Sequence, residues 1–409
     1  MRIHRWGLLC GLAVIAPVIS LAADGGAGSP KGGTTAPWLE LPGLAQGCEG
    51  SIRALAALPD GRIALGGTFS RCGTTDAAHI ATWDPATGAF AALGGGVSAG
   101  GEPIVVGVSA LLAIDGVLYA GGAFAQAGGV AVRNIARFDL AGGTWSPLGS
   151  AGAEGVEGEV LALAASGGDL YVGGAFARAG GQSARNLARF AIATQAWSRP
   201  PATPSGDVRA LQVDGGMLYA GGDFQRIGNA AIAHLARLDL ATQAWSALGT
   251  GVDGSVRALA LDRGVLFAGG AFRTAGGAPA TLVAAWDGAG WRALGSGSGE
   301  GLRGGPLFLR TVNALAATEG EVLASGEHLR AGARTASRIA RFDRRAQAWS
   351  ALGSGPTDGL DAAGNAIVVA SRVAYVGGGF RRAGGSARGG LAATVMPDAL
   401  FGDGFEPPP

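Results

Sequence analysis

A phrase of the form G-x-L-Y-x-G-G-x-F recurs along this 409-residue chain, and an N-x-A-R-F-D…W-x-x-L-G phrase trails it. The double glycines stand at Gly66–Gly67, Gly121–Gly122, Gly173–Gly174, Gly221–Gly222, Gly269–Gly270 and Gly377–Gly378, with Ser325–Gly326 as a degenerate copy. Their spacings are 55, 52, 48, 48, 56 and 52 residues. A period of about 50 that holds several short strands fits sheets repeated radially about an axis, not a helical solenoid. One such repeat uses nearly the whole chain, which overrides the two or three domains that length alone would suggest.

Each unit offers four strands. Strand A is V-x-A-L-A (Ile52–Ala56, Val108–Leu112, Val160–Ala164, Val208–Gln212, Val256–Ala260, Val312–Ala316). Strand B carries the double glycine, strand C is I-A-R-F-D, and strand D is W-S-x-L-G, as in Trp145–Gly149. Turns such as Asp115-Gly116 and Asp214-Gly215 separate A from B as tight hairpins. The strand D tryptophan and the phenylalanine after the glycines are the large residues expected between stacked sheets. The glycines imply a bulge or a close backbone approach.

The last unit has strands A to C and then runs into Met396-Pro397-Asp398 without a W-S-x-L-G. That phrase appears instead before the first unit, as Pro37-Trp38-Leu39-Glu40-Leu41-Pro42-Gly43. The expected fold is therefore all-β: a seven-bladed β-propeller of four-stranded antiparallel blades over residues 37–396. An N-terminal strand completes the last blade and closes the ring, which removes exposed sheet edges.

Residues 1–22 read as a signal peptide. Arg2 and Arg5 precede an apolar stretch, Gly7–Leu21, and Ser20-Leu21-Ala22 supplies small residues for cleavage. Residues 23–36 form a flexible linker and 397–409 a C-terminal tail. The mature chain keeps two cysteines, Cys48 and Cys72, each twelve residues from Asp60 at the first A–B turn. Hairpin register places them opposite one another, so a disulfide in an oxidising compartment is expected, with two neighbouring free thiols as the alternative. Net charge is +1 with 15% charged residues, which argues against nucleic-acid or anionic-lipid partners. No later stretch is long and apolar enough for a transmembrane segment.

The order A, B with its double glycine, aromatic C and tryptophan-bearing D resembles kelch repeats and the propeller domain of galactose-oxidase-like proteins. The L-Y-V-G-G-x-F…N-I-A-R-F-D wording is also similar to repeats of fungal cortical marker proteins and of bacterial secreted proteins. Phe401-Gly402-Asp403-Gly404-Phe405-Glu406 looks like a short C-terminal tag of exported Gram-negative proteins, which implies a secreted, periplasmic or cell-surface location. Copper-radical chemistry is not carried over: the cysteines have each other as partners, and Tyr119, Tyr171, Tyr219 and Tyr375 share one repeat position. No cofactor and no metal site is expected.

Strands alternate direction, so the B–C and D–A loops share one face. There the B–C loops carry Arg71, Arg178, Arg226 and Arg382, and the starts of strand A add Arg53, Arg209, Arg257 and Asn313 beside the central channel. Acids of the D–A loops, among them Glu157, Asp207 and Asp253, face them. The opposite face collects turn aspartates with few bases. One expectation is plain ion pairing; the other is an arginine-lined mouth for an anionic or hydroxyl-rich ligand. Kelch-like propellers bind partners on this face, which the resemblance carries to this chain. With no clustered nucleophile, base or ligand set beside a repeat that explains nearly every polar residue, the expectation is a monomeric, non-catalytic exported protein that binds a protein or glycan. The alternative is a carbohydrate-active enzyme using Glu102, Glu154 or Glu300 near the channel mouth.

Overall fold

The computed structural model describes residues 38–102, 104–295, 301–304, 310–332, 334–352 and 358–396. The expected leader (1–22), linker (23–36) and tail (397–409), together with Pro37 and Glu300, lie outside the described residues. Every regular element among the described residues is a β-strand. The A strands of sheets 1 to 7 are Ile52–Ala57, Gly107–Ile114, Val156–Ser166, Val208–Asp214, Val256–Asp262, Val312–Ala317 and Gly364–Ala370. Sheets 1 to 6 continue A–B–C–D in antiparallel order, and sheet 7 has A, B and C. The segment expected as its fourth strand forms no regular strand, but the Leu39 amide donates to the Ala393 carbonyl of strand C at 2.8 Å.

One irregularity recurs in every sheet. Ile52 pairs with Gly67 and Ala54 with Gly66, leaving Arg53 as an extra, bulged residue. The same shift isolates Ser109, Leu161, Arg209, Arg257, Asn313 and Asn365 in the other A strands. A bulge turns a carbonyl toward the partner strand, and the second glycine of strand B receives it. A Cβ on Gly67 would lie 2.0 Å from the Ser51 oxygen, and one on Gly222 would lie 1.9 Å from that of Asp207. No side chain fits at that distance, so this glycine and the bulge require each other.

The first glycine serves the contact between sheets. Val108 of sheet 2 packs where a Gly66 Cβ would be, 2.5 Å from Cγ1, and Val160, Val208, Val256 and Val312 repeat this on the following sheets. Ile52 of sheet 1 sits in the same way against Gly377 of sheet 7, with its Cγ2 2.5 Å from where a Cβ on that glycine would stand. Sheet 6 inverts the arrangement. Its strand B carries Ser325 in place of glycine, and the facing residue of sheet 7 is Gly364 in place of valine. Bulk has moved from one side of the interface to the other while the summed volume stays similar.

Indole nitrogens tie the sheets at their outer rims. Trp145, Trp197, Trp291 and Trp349 donate to the carbonyls of Leu93, Leu148, Leu248 and Leu294 of the preceding unit, at 2.7–3.2 Å. Trp38, buried beside Phe380 and Met396, donates to Asp358 at 2.8 Å in the same fashion. The B–C loops in turn pair with the loop that enters their own sheet: Ala127 with Val97, Ala331 with Leu302, Ala383 with Leu360 and Ala275 with Val252. In sheet 1 this pair is Cys48 and Cys72, joined by a disulfide as expected. A covalent bond there replaces an apolar contact, closing a loop of 24 residues, which stabilises by roughly 3 kcal/mol on the chain-entropy account.

His328 occupies the position of Phe69, Phe124, Phe176, Phe224, Phe272 and Phe380, fully buried. Neither ring nitrogen has a hydrogen-bond partner among the described residues. Burial, with the Arg338 charge adding to it, pushes its pKa down to about 3 from 6.5. The folded ring thus stays neutral where the unfolded one binds a proton. Stability present above about pH 6.5 is lost as pH falls from there toward 3.

Two outcomes are expected in urea melts. Gly364→Val should destabilise by about 1–3 kcal/mol through overpacking, and adding Ser325→Gly should restore most of that loss; additive costs would show that the two residues do not share a seat. His328→Phe should stabilise by about 1–2 kcal/mol at neutral pH and lose less stability than wild type between pH 7 and 4; equal acid sensitivity would remove His328 as the cause.

Candidate functional site

The seven bulged residues do not pack between sheets. They point together: Arg53, Ser109, Leu161, Arg209, Arg257, Asn313 and Asn365 all line one cavity of ≈ 530 Å³, with Ser51 and Glu159 beside them. That volume is within the roughly 300–1,000 Å³ of small-molecule sites. Of the inner residues singled out from sequence, Arg53, Arg209, Arg257 and Asn313 therefore do converge. Ser109, Leu161 and Asn365 occupy the same repeat position and were missed because only the charged and one amide residue drew attention. Glu159 was missed because its position holds Ser, Gly, Asp, Thr or Ala in the other sheets.

The lining charges are not equally engaged. Arg209 donates from Nε to Asp223 at 2.6 Å and from Nη2 to Asp207 at 3.0 Å. Burial pushes the Asp223 carboxyl up, but the Ser255 hydroxyl and the Arg209 and Arg257 guanidiniums outweigh it, so its pKa lies below the usual value. The Ser109 hydroxyl donates to Glu159 at 3.0 Å. Asn313 donates to Asn365 at 3.4 Å, and Asn365 donates to Ser51 Oγ at 3.1 Å and the Ile52 carbonyl at 3.3 Å, linking sheets 6, 7 and 1. Arg53 and Arg257 make no hydrogen bond or ion pair among the described residues. Arg257 keeps an accessible surface inside the cavity, yet the surrounding walls desolvate it; together with the Arg209 charge this lowers its pKa, opposed by Asp223.

The outer arginines are occupied differently. The B–C loops of sheets 1, 3, 4 and 7 each set their arginine across from an acceptor of the same loop. Arg71 pairs with Asp76 at 2.8 Å, and Arg178, Arg226 and Arg382 donate to the carbonyls of Gly181, Asn229 and Gly385. Arg178 also lies 3.6 Å from Glu157, which meets Arg133 at 3.3 Å. All four remain exposed. Asp253 and Asp361 of the D–A loops accept backbone amides of the neighbouring B–C loops, Asp253 from Arg273 and Thr274 at 2.7–2.8 Å.

Two expectations need correction. The opposite face is not poor in bases: Asp60 pairs with Arg62, Asp169 with Arg189, Asp262 with Arg344, Asp287 with Arg292 and Glu319 with Arg263. Arg189 belongs to strand C, whose core role hid it as a partner. Glu102 and Glu154 do not line the cavity; Glu102 is exposed, and Glu154 accepts the Gly152 amide at 3.0 Å. Among the described residues, the carboxylate in the cavity is Glu159 alone. The shared position of His79, Asn134, Asn186 and His234 has a backbone cause: all four have φ between 60° and 66°, as do Leu282 and Arg338 within a few degrees. Asparagine suits that region, and Asn134 and Asn186 use it to donate to Val156 and Pro204 of the following unit.

Residues 159–304 match the family described as the Rax2 C-terminal beta propeller domain. No curated protein matches the chain. Among solved structures, the computationally designed protein Ika8 is similar at 16% identity and a TM-score of 0.50, covering 87% of this chain and 99% of that one. The extracellular domain of a hybrid two-component system from B. thetaiotaomicron is similar at 12% identity and a TM-score of 0.52, covering 88% of this chain and 42% of that one. That of a one-component system from the same bacterium gives 10%, 0.54, 88% and 40%. The chain thus spans about two-fifths of those two proteins. Together with the sheet order, these likenesses identify the fold as a β-propeller.

The pairing pattern separates two arginines by their effect on stability. Arg257→Gln should leave stability within about 0.5 kcal/mol of wild type or raise it, because an unpaired, partly desolvated cation is removed. Arg209→Gln should cost roughly 1 kcal/mol by stranding Asp207 and Asp223. Urea melts in low-salt buffer read both, and a larger loss for Arg257→Gln would mean that it has a partner.

Proposed function

We propose that the seven sheets close into one kelch-type ring and that the protein is an exported, non-catalytic β-propeller. It binds a protein or glycan partner through the face formed by its B–C and D–A loops. The observation that carries this reading is the convergence of one bulged side chain from every sheet on a single polar cavity. The B–C loops add four exposed arginines, Arg71, Arg178, Arg226 and Arg382. The contacts Leu39–Ala393, Trp38–Asp358 and Ile52–Gly377 support a shared ring, since each links the first and last units. The Cys48–Cys72 disulfide supports export, because such bonds persist in oxidising compartments. The enzyme alternative loses support: general acid–base work on a glycoside needs two carboxyl groups flanking the bond, and one carboxylate among the described residues faces the cavity.

The test is a glycan array and cross-linking to cell-envelope proteins, with charge reversals on each face. Arg226→Glu with Arg382→Glu should weaken capture of the best binder at least tenfold, about 1.4 kcal/mol. Arg263→Glu with Arg292→Glu on the opposite face should leave it unchanged. The reverse pattern, turnover of a polysaccharide by the wild type, or a solution-scattering profile that requires an open spiral would each overturn the proposal.

A further inference from the structure

The cavity carries charge that the fold does not use. Arg53 comes from sheet 1 and Arg257 from sheet 5, both at bulge positions, both lining the same ≈ 530 Å³, and neither held by an acid of its own among the described residues. Arg209, the third arginine of the lining, has its two aspartates, and Glu159 has the Ser109 hydroxyl. The outer arginines each already make a contact to a loop carbonyl or to Asp76. The guanidinium N–H groups of Arg53 and Arg257, both exposed residues lining the cavity, are thus available for charge-assisted hydrogen bonds to an anion.

From this geometry we infer that the channel is a binding site for a small di-acid, one acidic group on Arg53 and the other on Arg257. Resting on the reading of this face as the recognition face, the inference names the ligand chemistry it takes. In a ring of seven, sheets 1 and 5 lie three positions apart, on opposing sides of the channel, so two acidic groups on one ligand meet both cations better than one group can. Guanidinium is suited to the task because its planar fork meets a carboxylate at two points. The uncharged part of the ligand faces Ser51, Asn365 and Asn313, whose amides and hydroxyl favour a polar, hydroxyl-bearing body over an apolar one. Repulsion between cations in the cavity, with the desolvation of Arg257, disfavours the empty state and is relieved by the anion. Both simple dicarboxylates and pairs of uronate sugars carry this chemistry.

The experiment is isothermal titration of the full chain with digalacturonate, succinate and a neutral disaccharide, in low-salt buffer free of phosphate and citrate. At least one of the two acids should bind while the neutral sugar does not. Arg53→Gln with Arg257→Gln should weaken that binding roughly tenfold or more, with an unchanged melting temperature confirming the fold. Added salt should weaken the wild type as well. Binding of digalacturonate alone identifies an acidic saccharide; binding of succinate as well identifies the two carboxylates themselves. No acid bound at millimolar concentration, equal binding by the neutral sugar, or an undiminished double variant would each overturn the inference. The rim variants separate this from the wider reading. Partner capture that depends on Arg226 and Arg382 without any acid binding defeats the channel site alone. Acid binding without a face-dependent partner defeats the wider reading and leaves the site standing.

Discussion

The second glycine of strand B has no room for a side chain, and most of the molecule depends on that absence. Its Cα lies against a carbonyl that a bulge has turned out of the A strand, so close that a Cβ would sit 1.9–2.3 Å from the oxygen in every sheet. Without the glycine the bulge cannot form, and without the bulge the A strand has no extra residue. That residue is the one that leaves the sheet for the channel. A backbone contact worth little by itself thus decides which side chain of each sheet faces the cavity. The neighbouring first glycine does the complementary work, accepting a valine or isoleucine from the next sheet so that the sheets stack at close range.

Sheet 6 shows how far the pattern bends. Ser325 fills a seat that glycine holds elsewhere, and Gly364 vacates the seat that valine holds, so the interface keeps its volume. Other polar groups gather in the same sheet. Glu321 is almost fully buried; burial pushes its carboxyl up to about 7, opposed by Arg341 at 2.8 Å and reinforced by Asp343. His328 replaces a phenylalanine and leaves both ring nitrogens unpaired among the described residues. Because a raised carboxyl pKa disfavours the folded state as pH rises and a depressed histidine pKa disfavours it as pH falls, the two groups confine the best stability of this sheet from opposite sides. Its neighbours, built from valine, glycine and phenylalanine, carry that cost.

Periodicity alone makes the sheets, the glycines and the rim tryptophans readable in the amino-acid sequence. Each is a residue type repeated at a fixed place, and each has one physical cause that acts in every unit. What the repeat conceals is pairing across units. Trp145 reads as core from its position, but its donation to Leu93 joins residues 52 apart in sequence, and nothing local marks that carbonyl. For Arg178, Arg226 and Arg382 the sequence offers acids of the D–A loops as partners, whereas the acceptors include the Gly181, Asn229 and Gly385 carbonyls of their own loops, which no residue type marks. The Asp169–Arg189 pair stayed hidden for a related reason: strand C reads as apolar, and its arginine looks like a solvent-facing residue rather than a neighbour across strands. Glu159 belongs to no repeating residue type, so periodicity could not point to it.

The same division bears on the cavity proposed above as a ligand site. At the glycine and valine positions, packing leaves one choice, or a compensated exchange such as Ser325 with Gly364. At the bulge position packing dictates almost nothing: Arg, Ser, Leu and Asn all occur there, since the side chain projects into open space and the bulge is held by backbone alone. A position free of packing constraint has no need, on stability grounds, of a cation without an ion pair; at Arg257 the partial desolvation and the Arg209 charge outweigh the opposing Asp223. Two such cations, from sheets with small and amide residues available at the equivalent places, therefore point to a demand other than folding. Charge without an ion pair at such a place is what the proposed ligand site would leave in a scaffold that folds without it.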